Sequence, residues 1–266
     1  MSKRLIQTIL TLCQFDEKFQ EKSLSLLLIA TRIMDAIILC GGLGTRIRTV
    51  TQDSYPKTMV PIAGKTILEW ELSWLRKYEV KHAILAVRHL AEYIEEQFGN
   101  TLHTDYGTIE ISYSKEKEKL GSGGAVKQAN EFVGSKNTII LNGDIITNFN
   151  LKEMNENHLK TDTMGTIATT KMRSPYGIVD TEDDNTILQF REKPVLDHWI
   201  HAGVDTFKSE LLERFPEKGQ MEETIFVSLA EKKQLKAYKI DPKFYWRSID
   251  SPKDLQDANK EWKGID

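Results

Sequence analysis

Short apolar runs that end abruptly at turns, each followed by apolar residues at helical spacing, set the pattern of this chain. Ala36 to Cys40 is apolar throughout and stops at Gly41-Gly42. A run this short, without alternation, predicts a strand covered on both faces. Ala83 to Val87 repeats the signature, as does Thr138 to Leu141, which closes on Asn142-Gly143-Asp144. Between these runs, Ile67 to Tyr78 places Ile67, Leu68, Trp70, Leu72, Trp74 and Leu75 on a helical period. Ala91 to Phe98 and Gly124 to Phe132 read as further helices, and Ile109 to Tyr113 alternates like a strand. Elements in this order predict an α/β fold with a mostly parallel sheet covered by helices on both faces.

The second half has a different rhythm. Thr166 to Thr170, Tyr176 to Asp180 and Thr186 to Phe190 read as strands, with Asp183-Asp184-Asn185 as a hairpin tip. Helices are expected over Ser209 to Arg214, Glu222 to Lys232 and Pro252 to Trp262. No Gly-, Pro- or Ser-rich linker divides the chain. Residues 34–266 therefore read as one domain, its later strands forming an added, smaller β lobe over the carboxyl edge of the sheet. Residues 1–33 read as a non-catalytic N-terminal extension. Its apolar run, Leu24 to Ala30, is bracketed by Lys22 and Arg32 and is too short to span a bilayer. Asp16, Glu17 and Glu21 precede it, which disfavours a signal peptide. Whether the extension or Met34 is the natural start stays open.

Composition changes this picture little. The 266 residues are 40% hydrophobic and 28% charged, with a formal net charge of −3. That is an ordinary globular mixture, and no basic excess points to nucleic acid. The two cysteines, Cys13 and Cys40, form neither a CxxC pair nor a Cys/His cluster. Neither a disulfide framework nor a structural zinc site is expected, and a cytoplasmic setting fits best.

The candidate chemistry starts at the end of the first strand. Gly41, Gly42 and Gly44 follow it directly, where ligands bind in open α/β sheets. Backbone N–H groups without Cβ obstruction can wrap a phosphate. A Walker loop fails, because Arg48 stands four after Gly44 and no Gly-Lys pair follows. A dinucleotide fingerprint fails at its third glycine, which is Ile47. A tight strand-to-helix turn would explain the glycines alone, but Arg46 and Lys57 follow closely and suit a polyphosphate. At ~4 Å and an effective dielectric of ~20, each such contact gives about 4 kcal/mol of gross attraction.

The stretch GGLGTRIRTVTQDSYPKTMVPIAGKTILEW, Gly41 to Trp70, resembles the opening of the sugar-1-phosphate nucleotidyltransferases. Further segments match in order. Leu120-Gly121-Ser122-Gly123-Gly124-Ala125 is similar to that family's nucleobase segment, and Asn142-Gly143-Asp144 to its metal segment. Tyr176-Gly177-Ile178-Val179 and Phe190-Arg191-Glu192-Lys193-Pro194 are similar to its sugar-phosphate segments. Tyr245 to Pro252 is similar to its closing motif, so the resemblance covers about residues 35 to 262.

It implies a Rossmann-like fold of the nucleotide-diphospho-sugar transferase type. It also implies transfer of a nucleotidyl group from a nucleoside triphosphate to a sugar 1-phosphate, releasing pyrophosphate with Mg²⁺ as cofactor. Arg46, Lys57 and Asp144 would be catalytic, and Asp144 and Asp250 would hold the metal. Gly41, Gly42, Gly44, Thr45, Gly121 and Gly123 would meet the nucleotide. Gly177, Glu192, Lys193 and His201 would meet the sugar phosphate, His201 standing where the family often has Asn. No nucleic-acid or membrane partner is implied, and a homo-oligomer is compatible. The spacing from Arg46 to Lys57 resembles the mannose-1-phosphate guanylyltransferase form, whereas Ser248 and Asp250 resemble the cytidylyltransferases. Nucleotide and sugar stay open, and so does a non-catalytic, nucleotide-sugar-binding regulatory homologue. The run Lys115 to Lys119 reads as a solvated, mobile segment, and Trp70 and Trp74 as core.

Overall fold

The computed structural model describes residues 34–266; the expectations for residues 1–33, and Cys13 with them, lie outside the described residues. Strand β1 (Asp35–Leu39) is the first parallel strand. A short hairpin, β2 (Pro61–Ile62) and β3 (Lys65–Thr66), leads into helix α1 (Ile67–Lys77). Thr66 starts that helix with a capping box: its hydroxyl accepts from Glu69 N–H while its own N–H donates to the Glu69 carboxylate. There follow β4 (His82–Val87), α2 (Ala91–Phe98), β5 (Thr101–Thr104), β6 (Gly107–Lys115) and α3 (Gly121–Ala129). Then come β7 (Asn137–Asn142), β8 (Ile145–Thr147), α4 (Leu151–Leu159) and β9 (Gly165–Arg173). The chain ends with β10 (Ile178–Thr181), β11 (Ile187–Arg191), β12 (Val195–Lys208), α5 (Val227–Glu231), β13 (Leu235–Lys239), β14 (Trp246–Ser248) and α6 (Pro252–Glu261).

The main sheet has eight strands in the order β13-β9-β12-β7-β1-β4-β6-β5. Only β12 and β5 run against the others. Side chains on β1 alternate between two apolar layers, as strand geometry requires. Ala36 and Ile38 join Leu68, Leu72, Trp74 and Leu75 of α1, while Ile37 joins Ala125, Val126 and Ala129 of α3. Both faces are thus covered, as the unbroken apolar runs predict.

The second half differs from expectation in where its first strand lies. Thr166–Thr170 does not join a separate lobe: it lies in β9, inside the main sheet between β12 and β13. The strands β10 and β11 pair antiparallel outside the main sheet, and that pair is the smaller lobe. The helix expected from Gly124 begins at Gly121. The one expected from Glu222 opens as a π-helical turn, Glu222–Phe226, before α5. Among the described residues, no helix is long and apolar enough to cross a membrane.

Candidate active site

Four groups from distant parts of the chain converge at the carboxyl ends of β1 and β7. Gly44, at φ 59°, turns the chain into a 3-10 turn, Thr45–Ile47, that carries Arg46. A second such turn, Lys57–Met59, begins with Lys57 directly after Pro56. Asp144 stands between β7 and β8, and Asp250 follows β14, which pairs antiparallel with β8. Ile249 N–H donates to the Asp144 carbonyl at 2.9 Å, so the two aspartate-bearing segments are tied by backbone.

The Lys57 ammonium lies between the two carboxylates, 2.6 Å from Asp144 Oδ2 and 3.1 Å from Asp250 Oδ1. Arg46 Nη2 meets the same Asp250 oxygen at 2.7 Å, and the Ser248 hydroxyl donates to Asp250 Oδ2 at 2.7 Å. Burial works against the Asp250 charge, but Ser248, Lys57 and Arg46 outweigh it and hold the carboxyl below its usual range. Two carboxylates therefore already converge on one cation. Such a pair, leaving further positions to phosphate oxygens and water, suits a hard divalent ion such as Mg²⁺. No cluster of three or more His, Cys, Asp or Glu that could hold a metal stands among the described residues.

Beside this cluster runs a cavity of about 480 Å³. Gly41, Gly42, Gly44, Thr45, Gly121 and Ser122 line it, together with Arg88, Glu116, Lys119 and Gln220. The glycines have different reasons to be there. A Cβ on Gly42 would meet nothing within 4 Å, so its backbone is open to the cavity. A Cβ on Gly41 would lie 2.6 Å from Glu116 Oε1. Gly121 and Gly123 answer to packing: their Cβ atoms would lie 2.5 Å from the Gly219 carbonyl and 2.7 Å from Pro216.

The sugar-phosphate candidates have other partners than the cluster. Gly177 sits beneath Phe190, where a Cβ would meet the ring at 2.5 Å. Lys193 pairs loosely with Glu192, at 3.4 Å. His201, on β12, is committed elsewhere: its Nε2 meets Asp205 Oδ1 at 2.8 Å and its ring stands edge-on to Phe226. Among the described residues, no hydrogen bond or ion pair links these four to Lys57, Asp144 or Asp250.

Two acidic residues of the site escape the sequence reading. Glu116 belongs to the charged run expected to be solvated and mobile; instead it is half-buried, accepts from Leu120 N–H at 3.1 Å and walls the cavity. Burial raises its carboxyl, and the Leu120 N–H and Arg88 offset part of the rise. Glu71 is wholly buried on α1 and accepts from Ile145 N–H at 3.2 Å. Burial, then the nearby Asp144 charge, push its carboxyl well up. The signal for Glu71 was its period: Leu68, Glu71, Leu72 and Leu75 share the buried stripe of the helix.

The model of a family described as nucleotidyl transferase matches residues 35–263. The catalytic subunit beta of mannose-1-phosphate guanylyltransferase from Danio rerio is 36% identical over 84% of this chain and 62% of its own length. This chain thus spans about three fifths of that relative. D-glycero-alpha-D-manno-heptose 1-phosphate guanylyltransferase from Aneurinibacillus thermoaerophilus is 35% identical over 86% of this chain and 98% of its own. The crystal structure of HddC from Yersinia pseudotuberculosis complexed with GMP-PN is 27% identical, with a TM-score of 0.65 over 86% of this chain and 99% of that one. The match runs from β1 to just past α6 and takes in every group of the lysine-bridged cluster. On that extent, the chain belongs to the nucleotidyl transferase family.

Proposed function

We propose that this chain is a guanylyltransferase that transfers GMP from GTP to a sugar 1-phosphate of manno configuration, releasing pyrophosphate. The observation that carries the reading is the Lys57 ammonium bridging Asp144 and Asp250 beside a glycine-lined cavity. The choice of manno sugars rests on the relatives' names. The choice of guanine rests on those names and on Glu116. Guanine presents two adjacent donors on its pairing edge, N1–H and N2–H, and a carboxylate accepts both.

In this reading a sugar-phosphate oxygen attacks the α-phosphorus in line and pyrophosphate leaves. No protein nucleophile forms a bond. Catalysis is positioning plus neutralisation of charge. Arg46 and Lys57 stabilise charge on the departing pyrophosphate, and Gly42 lets backbone approach the triphosphate. Asp144 and Asp250 would hold Mg²⁺, which when bound neutralises triphosphate charge. Lys193, just after β11, would hold the phosphate of the sugar phosphate, and Glu192 a sugar hydroxyl.

Pyrophosphate release tests this directly, with four nucleoside triphosphates each paired with mannose, heptose and glucose 1-phosphates. Release is expected with GTP and a manno sugar, to stop with a chelator, and to fall about a thousandfold in Asp144→Asn. Glu116→Gln should lose much of the preference for GTP, by about 1–3 kcal/mol. Nucleotide-sugar binding with silence in every pairing would overturn catalysis in favour of a regulatory homologue.

A further inference from the structure

Glu71 is costly to keep. It is a carboxyl with no accessible surface to speak of, set in a crevice of Trp70, Trp74, Leu141, Ile145 and Thr147. Its Oε2 has no hydrogen-bond partner among the described residues. A buried acid with an idle oxygen destabilises a fold, and an apolar residue of similar volume would pack there without that penalty. Among the described residues, its one hydrogen bond goes to Ile145 N–H, the amide that follows Asp144.

That amide is at a decisive place. Asp144 hangs between the end of β7 and the start of β8, and among the described residues β8 pairs only with β14, the strand that delivers Asp250. The pair is three residues long on each strand. So short a ribbon does not hold its own geometry in water. On the upper side it is fixed by Ile249 N–H donating to the Asp144 carbonyl. On the lower side the Glu71 carboxyl takes Ile145 N–H from α1, a helix anchored by its own capping box.

We propose that Glu71 is a positioning residue: it fixes the chain at Asp144 from beneath and so sets the separation of the Asp144 and Asp250 carboxylates. It touches neither substrate nor metal. The inference rests on the reading of those two aspartates as the divalent-cation pair.

The test is Mn²⁺ binding followed by electron paramagnetic resonance, on the full chain with a non-hydrolysable GTP analogue. Glu71→Gln keeps an acceptor for Ile145 N–H, whereas Glu71→Met keeps the volume and removes it. Affinity for Mn²⁺ should fall about tenfold in Glu71→Met and stay within about twofold in Glu71→Gln. Glu71→Met removes a buried acid but also leaves the Ile145 N–H without its acceptor, so the melting temperature of each variant serves to show that it is folded. Unchanged Mn²⁺ affinity in Glu71→Met overturns the inference, as does an equal loss in both variants. Should Glu71→Met fail to fold, hydrogen exchange of the Ile145 amide in the unmodified protein decides: slow exchange supports the bond, and loop-like exchange overturns it. Asp144→Asn separates the two levels. If Asp144→Asn binds Mn²⁺ normally, the cation-pair reading fails; if it does not, while Glu71→Met does, only the role of Glu71 fails.

Discussion

Asp35 begins β1 with no exposed surface, yet it is held as an anion. Its carboxylate accepts from the Gly134 and Ser135 amides at 2.7 and 2.8 Å and meets His82 Nδ1 at 2.9 Å. Burial opposes the charge, but His82 and the two amides outweigh it and lower the carboxyl below its usual range. A depressed native pKa stabilises the fold above the unfolded value of ~3.9, and the benefit is lost as pH falls through the native value. Asp35→Asn should therefore cost about 1–3 kcal/mol at pH 7, and the gap to the unmodified protein should narrow below about pH 4. Urea unfolding at both pH values checks this; a gap that did not narrow would show that the charge is not what is held. Glu71 has the opposite sign and lies at the site. Residues of this kind were the least legible in the sequence. Arg46, Lys57, Asp144 and Asp250 stand in ordered motifs at turns, whereas Glu71 reads as one more charged residue of a helix, and Glu116 as one of five alternating charges.

Helix α3 shows why elements were legible unevenly. Its first turn holds Gly121, at φ +80°, with the Gly219 carbonyl where a Cβ would go. Ser122 then ties the turn down: its hydroxyl donates to Glu222 at 2.7 Å and its amide to Gln220 at 3.1 Å. The resemblance assigned these glycines to the nucleobase, but the contacts show that they also let α3 meet the segment from Pro216 to Gly219. Gly121→Ala should lower stability by about 1–3 kcal/mol and displace Ser122. Thermal unfolding with and without GTP checks it, and an unchanged melting temperature would refute the packing account. Strands β1, β4 and β7 were plain because burial on both faces leaves unbroken apolar runs. Strand β12 was hidden, since His198, His201 and Asp205 break its apolar period and its pairing with β9 shifts register twice. Strands β8 and β14 were hidden by length.

The whole molecule separates a rigid sheet from an exposed lobe. On β10 and β11, Val179, Leu188 and Phe190 stand largely in solvent, while Asp180 and Arg191 pair across the hairpin. The mostly parallel sheet and the helices on both its faces followed from the alternation of elements. The place of β9 did not, because a short alternating strand reads alike in a lobe and at a sheet's flank.

The Lys57 bridge to Asp250 spans 193 positions of sequence. Contacts between such distant segments are the slowest a chain makes, because loop closure precedes any gain from the contact. The site is therefore expected to close late in folding. On dilution from denaturant, circular dichroism from the sheet should recover first and GTP-dependent pyrophosphate release later. Simultaneous recovery would mean that the ribbon carrying Asp250 docks with the sheet rather than after it. In either case activity, and not secondary structure, is the clock that reads completion.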